Sequence, residues 1–503
     1  MNRTPWLLSV LLAGVVCSVP AVRAETVDLK LRTISDERDF GSEESYLHRT
    51  MPQHFFMQRD NPESSNARDF ERIVEKEPKY AGKKPFKGVA KLGSQQYPFV
   101  LDSTNLKTRG YDRLYFDRNH NGDLTDEPPI KAVSDSSRYS SDSYRSREFP
   151  RQTLEIDSDG VKHECAFSLS VYSHIGNDRA SEYAVDDYVS ASLHTVIYRE
   201  GSITVDGKPH RIVLLDYNSN GRFNDLFEVD EAVKTSRDEI YPSTGDMVLV
   251  DPVARKHEYG GYGAADSQSR QYLSKLLVVD GRYYTITTTA PGDKLTLEPA
   301  KLPLGALVNA NGPYRAVVYG KQGMVKLTGE ANKPVPIPAG EWRLLEYQID
   351  LTDKPAVKPA DKAATQPAAP PTASAPAPKK KSLAERLARI LGTDDGAPSF
   401  SSIIDRGPRY TLVAARATSK AKAVTVAEGK TETLPFGPPY RPVVSVSWVG
   451  DESKEAHLEL KLVGAAGEIC NNLMVKGDRP AAPTFRILGK TGELVRKGKF
   501  EFG

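Results

Sequence analysis

Cysteine is scarce in this chain, with three residues in 503, and only Cys165 and Cys470 lie beyond residue 24. Two cysteines are too few for a disulfide scaffold, so hydrophobic burial must stabilise the folded regions. Because the two residues fall in segments assigned below to different domains, we expect both to be buried free thiols. A disulfide between them is the alternative.

An excess of one charge sign is also missing, since 68 Lys and Arg residues face 66 Asp and Glu residues. This balance gives no reason to expect binding of nucleic acid. No apolar segment reaches the length of an ordinary membrane span, and Leu7–Val19 is too short. Because Arg3 precedes that segment and small residues follow it, residues 1–24 predict a secretory signal that is cleaved after Ala24. We therefore expect a secreted or periplasmic protein with no membrane span after cleavage.

Motifs of catalysis are absent as well. The chain has no Gly-x-Ser-x-Gly element and no credible Cys–His partner. The nine His residues are scattered, and the segment around His163 lacks the spacing of a zinc site. Gly260–Gly263 is glycine-rich but does not join a strand to a helix, which argues against phosphate binding. Carboxylate pairs for glycoside hydrolysis remain open, because such pairs meet only in the fold.

The pattern Asp-x-Asn-x-Asn-Gly, in contrast, occurs twice. Hard cations such as Ca²⁺ bind six to eight oxygens, and loops with oxygen ligands at positions 1, 3 and 5 and glycine at position 6 supply them. Both copies also have Asp at position 10, so the sequence predicts two calcium loops. The predicted ligands are Asp117, Asn119, Asn121, Asp123, Thr125 and Asp126 in the first loop, and Asp216, Asn218, Asn220, Arg222 (through its backbone), Asn224 and Asp225 in the second.

Neither loop fits a helix–loop–helix EF-hand. Strand-like residues precede both loops, and the bidentate Glu of position 12 is replaced by Pro128 and Phe227. The alternative interpretation is that Asp and Asn form Asx turns at hairpin ends without any ion. The first loop carries more acidic residues, so we expect it to be the stronger site. Asp246 and Asp251 beyond the second loop either complete a site or bound a surface strand, and the surface strand is the commoner arrangement.

The residue pattern predicts a mainly β fold of repeated hairpin domains with strand-flanked loops and a C-terminal β-sandwich. Turns are expected at Gly93-Ser94, Asp206-Gly207 and Asp280-Gly281. The predicted order is a signal peptide (1–24), an irregular segment with a short helix at 66–76 (25–84), a β domain with the first loop (85–200), a β domain with the second loop (201–300), and a β-sandwich (301–352 and 409–503) interrupted by a disordered insertion with a short helix at 383–391 (353–408).

The segment 353–408 is placed inside the sandwich for two reasons. Residues 353–381 are largely Ala, Pro and Lys, which cannot bury enough apolar surface to fold. Few sandwich strands precede the segment, and residues 409–503 supply more. Since loop-closure cost grows by only about 0.6 kcal/mol per doubling of length, a long insertion is tolerable.

Several of these segments resemble parts of secreted bacterial proteins of unknown function, which combine Asp-x-Asn-x-Asn-Gly loops with an immunoglobulin- or transthyretin-like C-terminal sandwich. The segments are Tyr111–Asp126, Asp216–Asp225, Pro338–Trp342, Gly464–Glu468 and Gly498–Gly503. The resemblance covers most of 66–350 and 409–503, and it implies an architecture without an activity. We predict an exported, non-catalytic protein with structural Ca²⁺ that contacts a protein or glycan in adhesion or assembly at the cell surface. The alternative is a calcium-stabilised protein that binds carbohydrate or hydrolyses glycosides.

Overall fold

A computed structural model of the protein describes residues 24–34, 47, 50–57, 67–82, 85–104, 110–135, 144–174, 188–235, 237–252, 269–350, 412–448, 456–474 and 479–500. Within these ranges the regular structure consists of 34 strands and one helix, which confirms the predicted mainly β fold. The predicted signal segment before Ala24 and the segment 353–408 lie outside the described residues. No helix of the described ranges is long and apolar enough to cross a membrane.

The elements follow one another along the chain with these bounds. The first group is β1 Glu25–Asp28, β2 Lys30–Thr33, β3 Gln53–Met57, α1 Ala67–Ile73, β4 Phe86–Leu92, β5 Gln95–Asp102, β6 Arg113–Phe116, β7 Ile130–Lys131, β8 Ser134–Asp135, β9 Tyr144–Glu148, β10 Gln152–Ser158, β11 Val161–His174 and β12 Tyr188–Thr195. The second is β13 Ile197–Val205, β14 Lys208–Leu215, β15 Val229–Lys234, β16 Ile240–Pro242, β17 Met247–Val250, β18 Arg270–Tyr272, β19 Leu276–Val279, β20 Arg282–Thr288 and β21 Lys294–Pro299. The third is β22 Leu304–Val308, β23 Tyr314–Gly320, β24 Gly323–Gly329, β25 Val335–Pro338, β26 Gly340–Asp350, β27 Leu412–Arg416, β28 Val424–Val426, β29 Thr431–Thr433, β30 Arg441–Trp448, β31 Ala456–Val463, β32 Ile469–Met474, β33 Thr484–Leu488 and β34 Leu494–Lys499.

The N-terminal segment contains strands, although its sequence has no strand period. β1 pairs with β21, so that Glu25 lies opposite Leu297, and β2 pairs with β13. Both strands are only four residues long and largely exposed. Their partners lie far away along the chain, and sequence periodicity cannot report such pairing. The short helix predicted at 66–76 is present as α1.

The predicted hairpins are confirmed. β4 pairs with β5 around Gly93-Ser94, β13 with β14 around Asp206-Gly207, and β19 with β20 around Asp280-Gly281. Asp206 and Gly207 both have left-handed backbone, with φ of 51° and 78°. Two consecutive positive φ values are the requirement of a type I′ turn, which explains the Asp-Gly pair.

Four of the five sheets before residue 300 share one large hydrophobic core, and the fifth is the two-stranded sheet of β15 and β16. The four have the orders β4-β5-β6-β7, β1-β21-β20-β19, β3-β12-β11-β9-β8 with β10 beside β11, and β18-β17-β14-β13-β2. Phe99, Phe167 and Ile203 belong to the same buried cluster, although they come from three of these sheets. The predicted limit between residues 200 and 201 falls inside β13, and the division into two domains stays a prediction.

Two of the three sheets of the C-terminal region surround a second core, and the third is the two-stranded sheet of β33 and β34. The larger sheet has the order β24-β23-β26-β27-β32-β31-β30 with β28 beside β26, and the smaller is β25-β22-β29. Leu307 of the smaller sheet and Trp342 of the larger belong to one buried cluster. β26 and β27 pair directly, with Asp350 opposite Leu412. The segment between them is therefore an insertion in one sheet, as predicted.

Cys165 and Cys470 are both unpaired, as expected. Cys165 is fully buried in β11, and this burial raises the pKa of its thiol. Cys470 is only partly buried, in contrast to the prediction, because it lies in β32 near the outer strands of the larger sheet.

Candidate functional site

Asp117 anchors the first loop from the end of β6. The strand residues Leu114–Phe116 are buried and fix the position of Asp117, which has no exposed surface. Its two carboxylate oxygens accept the backbone N–H groups of Asn121 at 3.1 Å and Gly122 at 2.9 Å. Left-handed backbone at His120 and Gly122, with φ of 59° and 76°, turns these N–H groups inward. The carboxylate is required because a buried donor without an acceptor is costly.

Two asparagine side chains close the first loop over Asp126. The Nδ2 atoms of Asn119 and Asn121 both donate to Oδ2 of Asp126, at 3.0 and 2.7 Å. The partly buried carboxylate of Glu127 accepts the N–H groups of Arg118 at 2.9 Å and Asn119 at 3.0 Å. Three carboxylates, those of residues 117, 126 and 127, thus surround the loop.

Asp123 ties the first loop to the segment after α1. Its Oδ1 accepts the N–H and the hydroxyl of Thr125 at 2.8 and 2.5 Å. Its Oδ2 accepts a hydrogen bond from Nζ of Lys76 at 2.8 Å, and this bond lowers the pKa of Asp123 to about 2. The predicted ligands Asp123 and Thr125 are therefore already engaged with each other and with a lysine.

The second loop repeats the central hydrogen bonds of the first. Asp216 accepts the backbone N–H groups of Asn220 at 3.0 Å and Gly221 at 2.7 Å. The Nδ2 atoms of Asn218 and Asn220 donate to Oδ2 of Asp225 at 2.9 and 2.5 Å. The fourth and sixth loop positions have φ of 58° and 76°, within 1° of the values in the first loop. The repeat read from the sequence is thus also a repeat of backbone conformation.

A third carboxylate, Asp246, completes the second loop from the position just before β17. Its Oδ1 accepts the N–H of Tyr217 at 3.1 Å, and its Oδ2 accepts the N–H of Asp225 at 2.8 Å. Glu127 accepts the equivalent N–H in the first loop, but Glu127 is partly exposed, whereas Asp246 has no exposed surface. The surface strand expected after Asp246 is wrong, because β17 is buried between β14 and β18.

Burial changes the electrostatics of the second loop. Burial raises the pKa of Asp216 to about 7, and the nearby Asp225 carboxylate acts in the same direction. Burial and the charges of Asp216 and Asp225 also raise the pKa of Asp246 well above its usual range. Arg222 places its Nε 3.9 Å from Oδ1 of Asp225. Its guanidinium, however, forms two hydrogen bonds of 2.8 and 2.7 Å with Asp159.

Two amide oxygens of the second loop lack partners. Oδ1 of Asn218 and Oδ1 of Asn224 are buried and accept no hydrogen bond. In the first loop the equivalent oxygen of Asn119 accepts the N–H of Asn121 at 3.1 Å. A buried polar atom without a partner is destabilising, so a group that binds these oxygens would stabilise the second loop.

The donor set of the second loop fits a hard cation. Asp216, Asn218, Asp225 and Asp246 offer carboxylate and amide oxygens, which Ca²⁺ prefers. The amide nitrogens now face Asp225, and rotation of each amide about its terminal bond exchanges nitrogen for oxygen. For Asn218 the rotation breaks the bond from Nδ2 to Asp225, but its oxygen gives up no partner, because it has none. Across the described ranges, no three His, Cys, Asp or Glu side chains already have the arrangement of a metal site.

The buried carboxylates do not favour glycoside hydrolysis. Asp216 and Asp246 have no exposed surface, and both accept backbone N–H groups. A hydrolase needs two carboxyl groups that flank a bound sugar in an open cleft. Comparison of the chain with protein-family models, with curated proteins and with solved structures finds no match.

Proposed function

We propose that the protein is a non-catalytic β protein whose two Asp/Asn loops bind Ca²⁺ as a structural ion, and whose sandwich serves adhesion or assembly at the cell surface. One observation supports this proposal above the others. The second loop holds two fully buried carboxylates, those of Asp216 and Asp246, and two unpartnered amide oxygens.

The second loop is proposed as the tighter site, the reverse of the order expected from acidic residue counts. A bound cation there would offset repulsion among three carboxylates and satisfy Oδ1 of Asn218. In the first loop Lys76 already neutralises Asp123, and the oxygen of Asn119, which is equivalent to that of Asn218, already accepts an N–H group. A cation gains less where the oxygens already have partners.

Calorimetric titration of residues 25–503 with Ca²⁺ at pH 8 tests the metal sites. We expect dissociation constants of about 10⁻⁴–10⁻³ M, as in extracellular calcium modules, and weaker binding of Mg²⁺, which demands near-ideal octahedral geometry. Asp246→Asn should remove the tighter site, whereas Glu127→Gln, the matched change in the first loop, should leave it. If 5 mM CaCl₂ produces neither heat nor a rise in melting temperature, the loops are Asx turns only.

The cell-surface role has its own test. Labelled protein added to cells of the producing strain should bind in CaCl₂ and bind less in EDTA, because the ion stabilises the β region next to the sandwich. Calcium binding without cell binding would retain the metal sites and reject the surface role.

A further inference from the structure

The C-terminal hairpin of β33 and β34 stands apart from the rest of the fold. The two strands pair with each other and with no other strand of the described chain. Phe485 contacts Phe500 with ring centroids 5.1 Å apart, which is contact within the same segment. An isolated two-stranded hairpin is at best marginally stable in water, so a further surface is expected to support it.

Large apolar side chains are exposed next to the turn of this hairpin. Ile487 and Leu488 end the first strand with 39% and 58% of their surface exposed, and Leu494 and Val495 begin the second with 54% and 63%. Leu488 lies opposite Leu494, whereas Ile487 lies opposite Arg496 on the other face. Single exposed aliphatic residues are ordinary, but four around one hairpin turn form an exposed apolar tip.

The same hairpin is strongly cationic, in a protein whose total charge is nearly balanced. Over Thr484–Lys499 five cations accompany one carboxylate, Glu493, which binds the hydroxyl of Thr491. Among the residues that the structure describes, no carboxylate pairs with any of the five. These cations are Arg486, Lys490, Arg496, Lys497 and Lys499.

We propose that the β33–β34 hairpin docks on an anionic phospholipid surface. Aliphatic side chains that enter the headgroup boundary, beside Lys and Arg that attract lipid phosphates, are the chemistry of interfacial binding. The hairpin's complementary charge selects an anionic surface, and a fluid surface requires no matching shape. This inference is independent of the calcium loops.

A protein partner is less favoured by the same observations. The exposed β30–β31 hairpin of a second copy offers Val444 and Val446, at 49% and 57% exposure, but little negative charge. Its carboxylate Glu459 is already paired with Arg237 at 2.8 Å and with Lys461 at 3.2 Å.

Vesicle co-sedimentation of residues 25–503 tests the proposal. Binding is expected to vesicles of 30% phosphatidylglycerol in phosphatidylcholine, to be lost in 0.5 M NaCl, and to be absent for pure phosphatidylcholine. Each cation near such a surface contributes about fivefold to partitioning. Arg496→Glu with Lys497→Glu should therefore weaken binding on the order of a hundredfold. Leu494→Ser with Val495→Ser should weaken binding by about tenfold while keeping the charge.

A matched control separates the hairpin from general electrostatics. Lys422→Glu with Lys430→Glu makes the same charge change at exposed positions elsewhere, and should retain binding. The proposal is overturned if both charge pairs weaken binding equally, or if the protein binds neutral and anionic vesicles alike. It is also overturned if Val444→Ser with Val446→Ser is the change that abolishes binding. If the protein dimerises through Leu494 and Val495 in the absence of vesicles, the partner of the hairpin is a second copy of the chain instead.

Discussion

The two Asp/Asn loops have nearly the same backbone but place their carboxylates at different depths. In the first, Asp126 is exposed and Glu127 partly exposed, so water screens two of the three negative charges. In the second, Asp216 and Asp246 are completely buried. The first loop therefore holds its turn with two screened charges. The second holds the same turn with two buried carboxylates, whose repulsion a bound cation would offset. Position along the sequence does not reveal this difference, because it arises from the strands that cover each loop.

The largest expected difference between the loops is their response to pH in EDTA. Because the pKa of Asp216 is raised to about 7, the folded state holds a proton that the unfolded state releases above about pH 4. The free energy of unfolding should therefore fall as pH rises from about 4 to 7, by an amount on the order of 3 kcal/mol. Urea midpoints across this range should show a smaller fall in Asp216→Asn, where Asp246 alone keeps a raised pKa, and the full fall in Asp117→Asn. If the urea midpoint changes equally with pH in the two variants, the two loops do not differ in electrostatics as expected here.

Truncation of the anchoring carboxylates comes next. Asp117→Ala leaves two inward N–H groups without their acceptor, at a cost of about 2–3 kcal/mol. Asp216→Ala loses the equivalent bonds but also removes a buried charge near two other carboxylates, so its cost at pH 8 in EDTA should be smaller. Chemical denaturation measures both. A greater cost for Asp216→Ala would show that the hydrogen bonds, and not the repulsion, dominate the second loop.

Bound Ca²⁺ should stabilise the second loop more than the first, because it offsets the repulsion among the carboxylates there. At about 100 times its dissociation constant, an ion that binds only the folded state adds about 2.7 kcal/mol. We expect most of the rise in melting temperature to disappear in Asp246→Asn and to persist in Glu127→Gln. The rise should also be larger at pH 8 than at pH 5, because the ion competes with the proton on Asp216. A response unaffected by Asp246→Asn would make the first loop the main site.

The smallest effect should come from Lys76→Ala in the first loop. The lysine side chain is 64% exposed, and surface ion pairs of this kind contribute little to stability. The melting temperature should not change measurably in EDTA. A clear rise in calcium affinity would instead reveal that Lys76 competes with the ion for Asp123.

How much of the fold and of the candidate site can be predicted from the sequence depends on how far apart the interacting residues lie along the chain. The Asp-Gly turns and the loop repeat depend on neighbouring residues, and the sequence predicts them. The pairing of β1 with β21 depends on residues far apart, and the short polar strand gives no local signal. Asp246 shows the same limit within the site. The apolar run Met247–Val250 after it was the available sign of burial, but only the sheet order brings Asp246 to Asp225.

The pairing of β1 with β21 also means that one strand is synthesised well before its partner. Thr26 and Thr296 share a hydrogen bond across 270 positions of the chain. At a synthesis rate of about 5–20 residues per second, β1 emerges roughly 15–50 s before its partner strand exists. For that interval an edge of the nascent chain has no strand to pair with. Because β1 has only four residues and is polar, it has little capacity for non-native pairing before β21 is synthesised.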